Sequence, residues 1–156
     1  MIFIPENVPS SKNSKVKAAG GIFNSPAVSA YLRKLGIQSY SSRKKFVKGY
    51  VNSINRPNII EGFRKEIERM KIGKKDPLFI GFHHVRKQNR QFDFSNSIEL
   101  IQDLFTAHDF IEDDSVKYMF PIPMSKEGEI PTIDTLRTTD WYSVDKKAPG
   151  VWIKIF

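Results

Sequence analysis

Between Arg90 and Val116 the chain reads RQFDFSNSIELIQDLFTAHDFIEDDSV, the densest run of acids in a protein that is otherwise basic. Carboxylates gathered in one place repel one another unless cations hold them, and hard oxygen ligands suit Mg²⁺ or Mn²⁺. The candidates are Asp93, Asp103 and the Asp113-Asp114 pair, with Asn96, Glu99 and Asp103 at i, i+3 and i+7. That spacing puts the last three on one face of a helix. The plain alternative is that these acids sit in turns and at helix starts and are simply solvated.

Three elements must position them. LFIGFHHV reads as a strand, followed by the basic lead-in RKQNRQF. Ser95 or Asn96 suits a helix cap, and Ile98, Ile101, Leu104 and Phe105 then follow helical spacing. Val116, Tyr118 and Phe120 alternate with Ser115, Lys117 and Met119, the period of a half-buried strand. Such a strand–helix–strand unit is expected to gather Asp93, Asp103, Asp113 and Asp114 at one end of a sheet.

Charge is distributed unevenly along the chain. Residues 1–90 hold 19 Lys and Arg against 5 Asp and Glu, a net +14, whereas residues 91–156 hold 6 against 12, a net −6; together they make the overall +8. A basic surface beside an acidic centre suits a polyanion, because Lys and Arg contacts to phosphates supply most non-specific nucleic-acid affinity. An anionic membrane or a ribosomal partner would fit the bases alone; acids among them turn the choice toward phosphodiester chemistry. At 156 residues, 40% hydrophobic and with 12 Phe, the chain suits one globular domain. The absence of cysteine excludes disulfides and thiolate metal sites. MIFIPENVPSS lacks the form of a signal peptide, and no stretch nears the roughly 20 apolar residues of a membrane span, so a soluble cytoplasmic protein is expected.

The remaining segments supply scaffold and cations. Met1–Ile4 reads as a short strand stopped by Pro5. Lys12, Lys15 and Lys17 fall in a loop closed by Gly20-Gly21, either solubilising or in contact with DNA. SPAVSAYLRKLG has the marks of a helix, with Ser25 as cap, Pro26 at its first position and Gly36 at its end. Arg43, Lys44, Lys45 and Lys48, with Phe46, Tyr50 and Val51 between them, suggest a helix with one basic side. NIIEGFRKEIERM predicts another, burying Ile60, Phe63, Ile67 and Met70 and pairing Glu61 with Lys65. His83, His84 and His108 lack ligand spacing and read as structural. Pro121-Ile122-Pro123 should end the strand before an irregular excursion of loops with room for a hairpin, in which Trp141 and Tyr142 are better suited to packing than to base stacking. Residues 151–156 form a last strand.

These residues resemble the RusA-like Holliday junction resolvases, endodeoxyribonucleases of phages and prophages. The resemblance rests on an N-terminal strand leading to Pro9-Ser10-Ser11-Lys12-Asn13, on Asp93-Phe94-Ser95-Asn96 with Asp103 seven residues beyond the Asn, and on Asp113-Asp114. It implies an α/β (α+β) fold with a mixed sheet, a homodimer, and Mg²⁺-dependent nicking of four-way DNA junctions in recombination and repair. By motif position Asp93, Asp113 and Asp114 would hold the metal, with Asp103 close by in the catalytic set. Lys12, Asn13, Lys15, Lys17, Arg43, Lys44, Lys45, Arg86, Lys87 and Arg90 would meet DNA. Ser95 stands where a second motif Asp is expected and Glu99 where a lysine is common; Glu99 is then a candidate replacement carboxylate. A junction-binding protein of weakened or absent activity, and a phage structural or interaction module, are the other readings.

Overall fold

The computed structural model describes residues 1–9, 15–18, 21–37, 59–90, 92–135, 137–138 and 140–156. The basic segment 43–48 lies outside the described residues, as do Lys12 and Asn13. Strand β4 (Leu78–Arg86) is the axis of the molecule. It is nine residues long and buried from Ile80 to Val85, and its near-continuous apolar run is what a strand covered on both faces requires. On one side it pairs antiparallel with β7 (Gly150–Ile155), which in turn pairs antiparallel with β1 (Ile2–Pro5). On the other side it pairs parallel with β5 (Met119–Pro123) along its first half and with β6 (Tyr142–Val144) along its second. The result is a mixed five-stranded sheet packed with helices, the α+β architecture expected. A separate antiparallel ribbon joins β2 (Lys15–Ala18) to β3 (Gly21–Asn24).

Helix α1 (Pro26–Lys34) starts as its sequence dictates: the Ser25 side chain accepts from Val28 N at 3.3 Å, and proline occupies the first position. Gly36, at φ 78°, takes the left-handed conformation past its end. The third predicted helix is realised as α2 (Ile59–Gly62) and α3 (Arg64–Lys71), broken at Phe63, with Ile60, Ile67 and Met70 buried as the stripe requires. Helix α4 (Phe94–Ala107) buries Ile98, Ile101, Leu104 and Phe105. Side chains of these helices and of β1, β4 and β7 form one apolar cluster. A Cβ at Gly81 would lie 2.6 Å from the Phe156 ring and 2.8 Å from Met124 Sδ, so those side chains would have to shift to admit one.

Several local expectations are corrected. Residues 15–18, read as loop, form β2, because ribbon partners of low local propensity are specified by tertiary pairing. The cap of α4 is Asp93, not Ser95 or Asn96: its carboxylate accepts from Asn96 N at 3.3 Å. The strand placed at 116–120 begins only at Met119, and Val116, expected to be half-buried, is 74% exposed. The Pro-Ile-Pro run closes β5 as expected, with Pro123 as its last residue; Pro121 lies within it, which an edge strand tolerates because one row of amides has no ladder partner. Instead of a hairpin, the excursion after Met124 delivers β6 parallel to β4.

Candidate functional site

The acids of the central segment are set by a parallel crossover. Helix α4 leaves the C-terminal end of β4 and must return to its N-terminal end before β5 can run parallel. Two contacts fix that direction. Ser97 Oγ, in the first turn of α4, lies 3.1 Å from His84 Nε2, and Gln102 Nε2 lies 3.5 Å from Sδ of Met119, the residue paired with Leu78. Asp93 therefore stands where β4 ends, whereas Asp113 and Asp114 precede β5 beside the start of β4. Tyr118 O accepts from Leu78 N at 2.8 Å, which ties the Asp113–Tyr118 turn to that end.

The expected convergence of Asp93, Asp103, Asp113 and Asp114 does not occur within the subunit. A 14-residue helix spans about 21 Å, and Asp103 is about 15 Å along it from Asp93. Among the described residues no three His, Asp or Glu side chains are grouped so as to hold a metal ion. The residues present do not fit a single-subunit Mg²⁺ or Mn²⁺ centre built on Asp93 and Asp114. Asp93 is exposed and its carboxylate serves the helix start; Glu99 is exposed two turns into the segment, and Asp103, Asp113 and Asp114 are half-buried.

The C-terminal end of β4 is instead a packed polar corner. Phe92 and Phe94 flank Asp93 and meet the rings of His84 and Trp141, with centroids 5.2 to 5.8 Å apart, and Phe92 also meets Tyr142 at 5.6 Å. Trp141 and Tyr142 thus pack, as their sequence context suggested. Arg86, expected at DNA, is half-buried: its guanidinium lies 4.4 Å over the Phe92 ring and donates from Nη1 to Val8 O at 3.3 Å, and burial lowers its pKa. Lys87 and Arg90 are exposed. Lys15 and Lys17 lie in β2, opposite Asn24 and Ile22. Lys34, Lys146 and Lys147, which no sequence pattern singled out, share a cleft with Lys87. Isolated surface lysines carry no spacing signal, and only the chain's return through β6 and β7 assembles them.

The three histidines are buried, and His83 and His84 are held by hydrogen bonds. Adjacent on β4, His83 and His84 point to opposite faces. His84 is held neutral, its pKa pushed down to about 3 by burial and then by the nearby Arg86 and His83. Ser97 Oγ donates to Phe94 O at 2.9 Å, so His84 Nε2–H donates to that oxygen. On the other face His83 Nδ1–H donates to Met124 O at 3.2 Å, which leaves Nε2 to accept from Ser143 Oγ at 3.0 Å. Burial lowers the His83 pKa as well. No family model, curated protein or solved structure matches the chain.

Proposed function

We propose that this protein binds branched DNA through the end of the sheet where β4 terminates, as the RusA-like proteins it resembles suggest. The observation that carries the reading is the exposure of Lys87 and Arg90 at the same sheet end as the Asp93 helix start, in a chain whose first 90 residues carry a net +14. Contacts there would be to phosphates, which position a duplex without reading its sequence. Binding comes before cleavage in this reading because the acids of the motif stand at opposite ends of the crossover.

Mg²⁺-dependent nicking of four-way junctions is the second reading, favoured by the order Asp93, Asn96, Asp103, Asp113-Asp114. It requires a homodimer in which the Asp113-Asp114 end of one protomer meets Asp93 of the other, with Glu99 standing in for the carboxylate that Ser95 lacks. A phage assembly module that ignores DNA is the contrasting case.

One experiment separates the three. A synthetic four-way junction and a matched duplex are titrated with the protein across a salt series, and the products are analysed for nicks with and without Mg²⁺. Binding predicts a linear fall of log affinity with log salt, and Lys87→Ala with Arg90→Ala makes that fall shallower by about 0.9 for each phosphate no longer neutralised. Nicking that disappears in Asp93→Asn moves the nuclease to first place. An affinity that ignores salt leaves only the assembly module.

A further inference from the structure

Beside α1 the loops that follow β1 and precede β7 enclose a cleft of about 390 Å³, within the range of small-ligand sites at about 300–1,000 Å³. Lys34, Lys87, Lys146 and Lys147 line it, and among the described residues Glu6 is the one acid in the lining. Glu6 is already engaged, since its Oε2 accepts from Lys34 Nζ at 2.8 Å. Lys87, Lys146 and Lys147 stand in the lining beyond that pair.

The backbone that carries these lysines is tied together from three directions. Glu6 N donates to Pro149 O at 2.8 Å, Lys87 N to Asn7 Oδ1 at 3.4 Å, and Asp145 N to Arg86 O at 2.9 Å. Asp145 Oδ1 accepts from Lys147 N at 2.8 Å and Ala148 N at 3.2 Å, which holds the Lys146-Lys147 turn. Glu6 itself is held at φ 82°, a left-handed conformation that a non-glycine residue adopts only where its surroundings impose it. A recess built this way does not have to be ordered when a ligand enters.

Tyr31 supplies the second, independent observation. It also lines the cleft, yet it is only 4% exposed, and its hydroxyl is buried with no hydrogen-bond partner among the described residues. A buried hydroxyl left unpaired forfeits its hydration without compensation, so each instance requires a reason. Burial, and then the Glu6 carboxylate, hold the phenol well above its ordinary pKa, so it remains a donor.

We propose that this cleft binds a phosphate group, with Tyr31 Oη–H donating to one oxygen and the lysine ammonium groups balancing the charge. Phosphate suits the set better than a carboxylate, because several point charges and a separate neutral donor match a multiply charged group with oxygens in more than two directions. Free phosphate and a nucleic-acid backbone both present that group; the inference goes beyond the DNA reading and does not need it.

The test is calorimetric titration of the full chain with inorganic phosphate, at an ionic strength held constant with chloride, and a parallel titration with a short single-stranded oligonucleotide. Phosphate should bind, and Tyr31→Phe should weaken it about tenfold or more, the loss expected for a hydrogen bond to a charged group. The same variant should melt in chloride no lower than wild type, because it deletes an unpaired buried hydroxyl. Lys146→Gln with Lys147→Gln, both exposed, provides a second readout should Tyr31→Phe misfold, and should also weaken phosphate. An oligonucleotide that competes with phosphate identifies the source as a backbone; phosphate binding without competition identifies free phosphate. No phosphate binding above the chloride control, or equal affinity in wild type, Tyr31→Phe and the lysine pair, overturns the inference.

Discussion

The two ends of β4 differ in nearly every property that matters for a charged partner. Where β4 terminates, Lys87 and Arg90 are exposed and the cleft shared by Lys34, Lys87, Lys146 and Lys147 opens; beneath them Phe92, Phe94, Trp141 and Tyr142 pack around His84. Where β4 begins, Glu112, Asp113 and Asp114 lead into a turn, Tyr118 Oη donates to Glu112 at 2.7 Å, and the half-exposed rings of Phe79 and Phe120 stand 5.9 Å apart across the strands. One end is cationic over an aromatic base; the other mixes Glu112, Asp113 and Asp114 with the exposed Lys74, Lys75 and Lys117, beside exposed apolar surface. The contrast teaches that residues 20 positions apart in a motif are separated, not joined, by a parallel crossover whose helix spans the sheet.

The largest effect should come from breaking the element that keeps the ends apart. Leu104→Ala empties a fully buried position on α4 and should cost about 2–5 kcal/mol in urea unfolding, because the cavity cannot close against the sheet. Both ends should fail together; loss of the Asp113-Asp114 end alone would show that α4 does not couple them.

Acid should attack the cationic end next. His84 has a folded pKa of about 3 against an ordinary 6.5, so between those values the unfolded chain binds more protons than the folded one. Stability is thus fully present above pH 6.5 and is lost as pH falls toward 3, by at most about 1.4 kcal/mol per pH unit for this group. His83 shifts in the same direction and adds to the slope. His84→Leu should flatten the dependence measured at pH 4.5, 5.5 and 7.5, and an unchanged slope would remove His84 as its source.

Asp93→Ala sharpens the comparison with a smaller change. It deletes the cap of α4 and should cost about 1 kcal/mol, with fraying confined to the first turn in amide exchange. Asp93→Asn, which keeps a capping oxygen, should be nearly silent in stability. An equal drop in protection around Asp113 would mean that the ends are not independent. Smallest of all, Val116→Lys at the Asp113-Asp114 end, where the side chain is 74% exposed, should move stability by no more than about 0.5 kcal/mol.

Much of this fold was legible because local chemistry and tertiary structure agree. Ser25-Pro26 starts α1 and Gly36 ends it; the stripe Ile98, Ile101, Leu104, Phe105 is the face α4 buries; the apolar run at 78–85 is the central strand. Periodicity specifies which face of an element is apolar, and the amino-acid sequence alone determined that. It also determined the excess of cations in the first 90 residues. Direction and order of strands were decided elsewhere. A strand–helix–strand pattern suits a parallel return, but it does not name the strand that β5 joins, so the acids at 93 and 113–114 read as neighbours until β5 is seen to pair with β4 at the far end of the crossover. Likewise Lys34, Lys87, Lys146 and Lys147 meet only because β7 brings the chain back between β1 and β4. Sheet order is fixed by long-range pairing that no short window contains, and so the placement of charge was a decision of the tertiary structure alone.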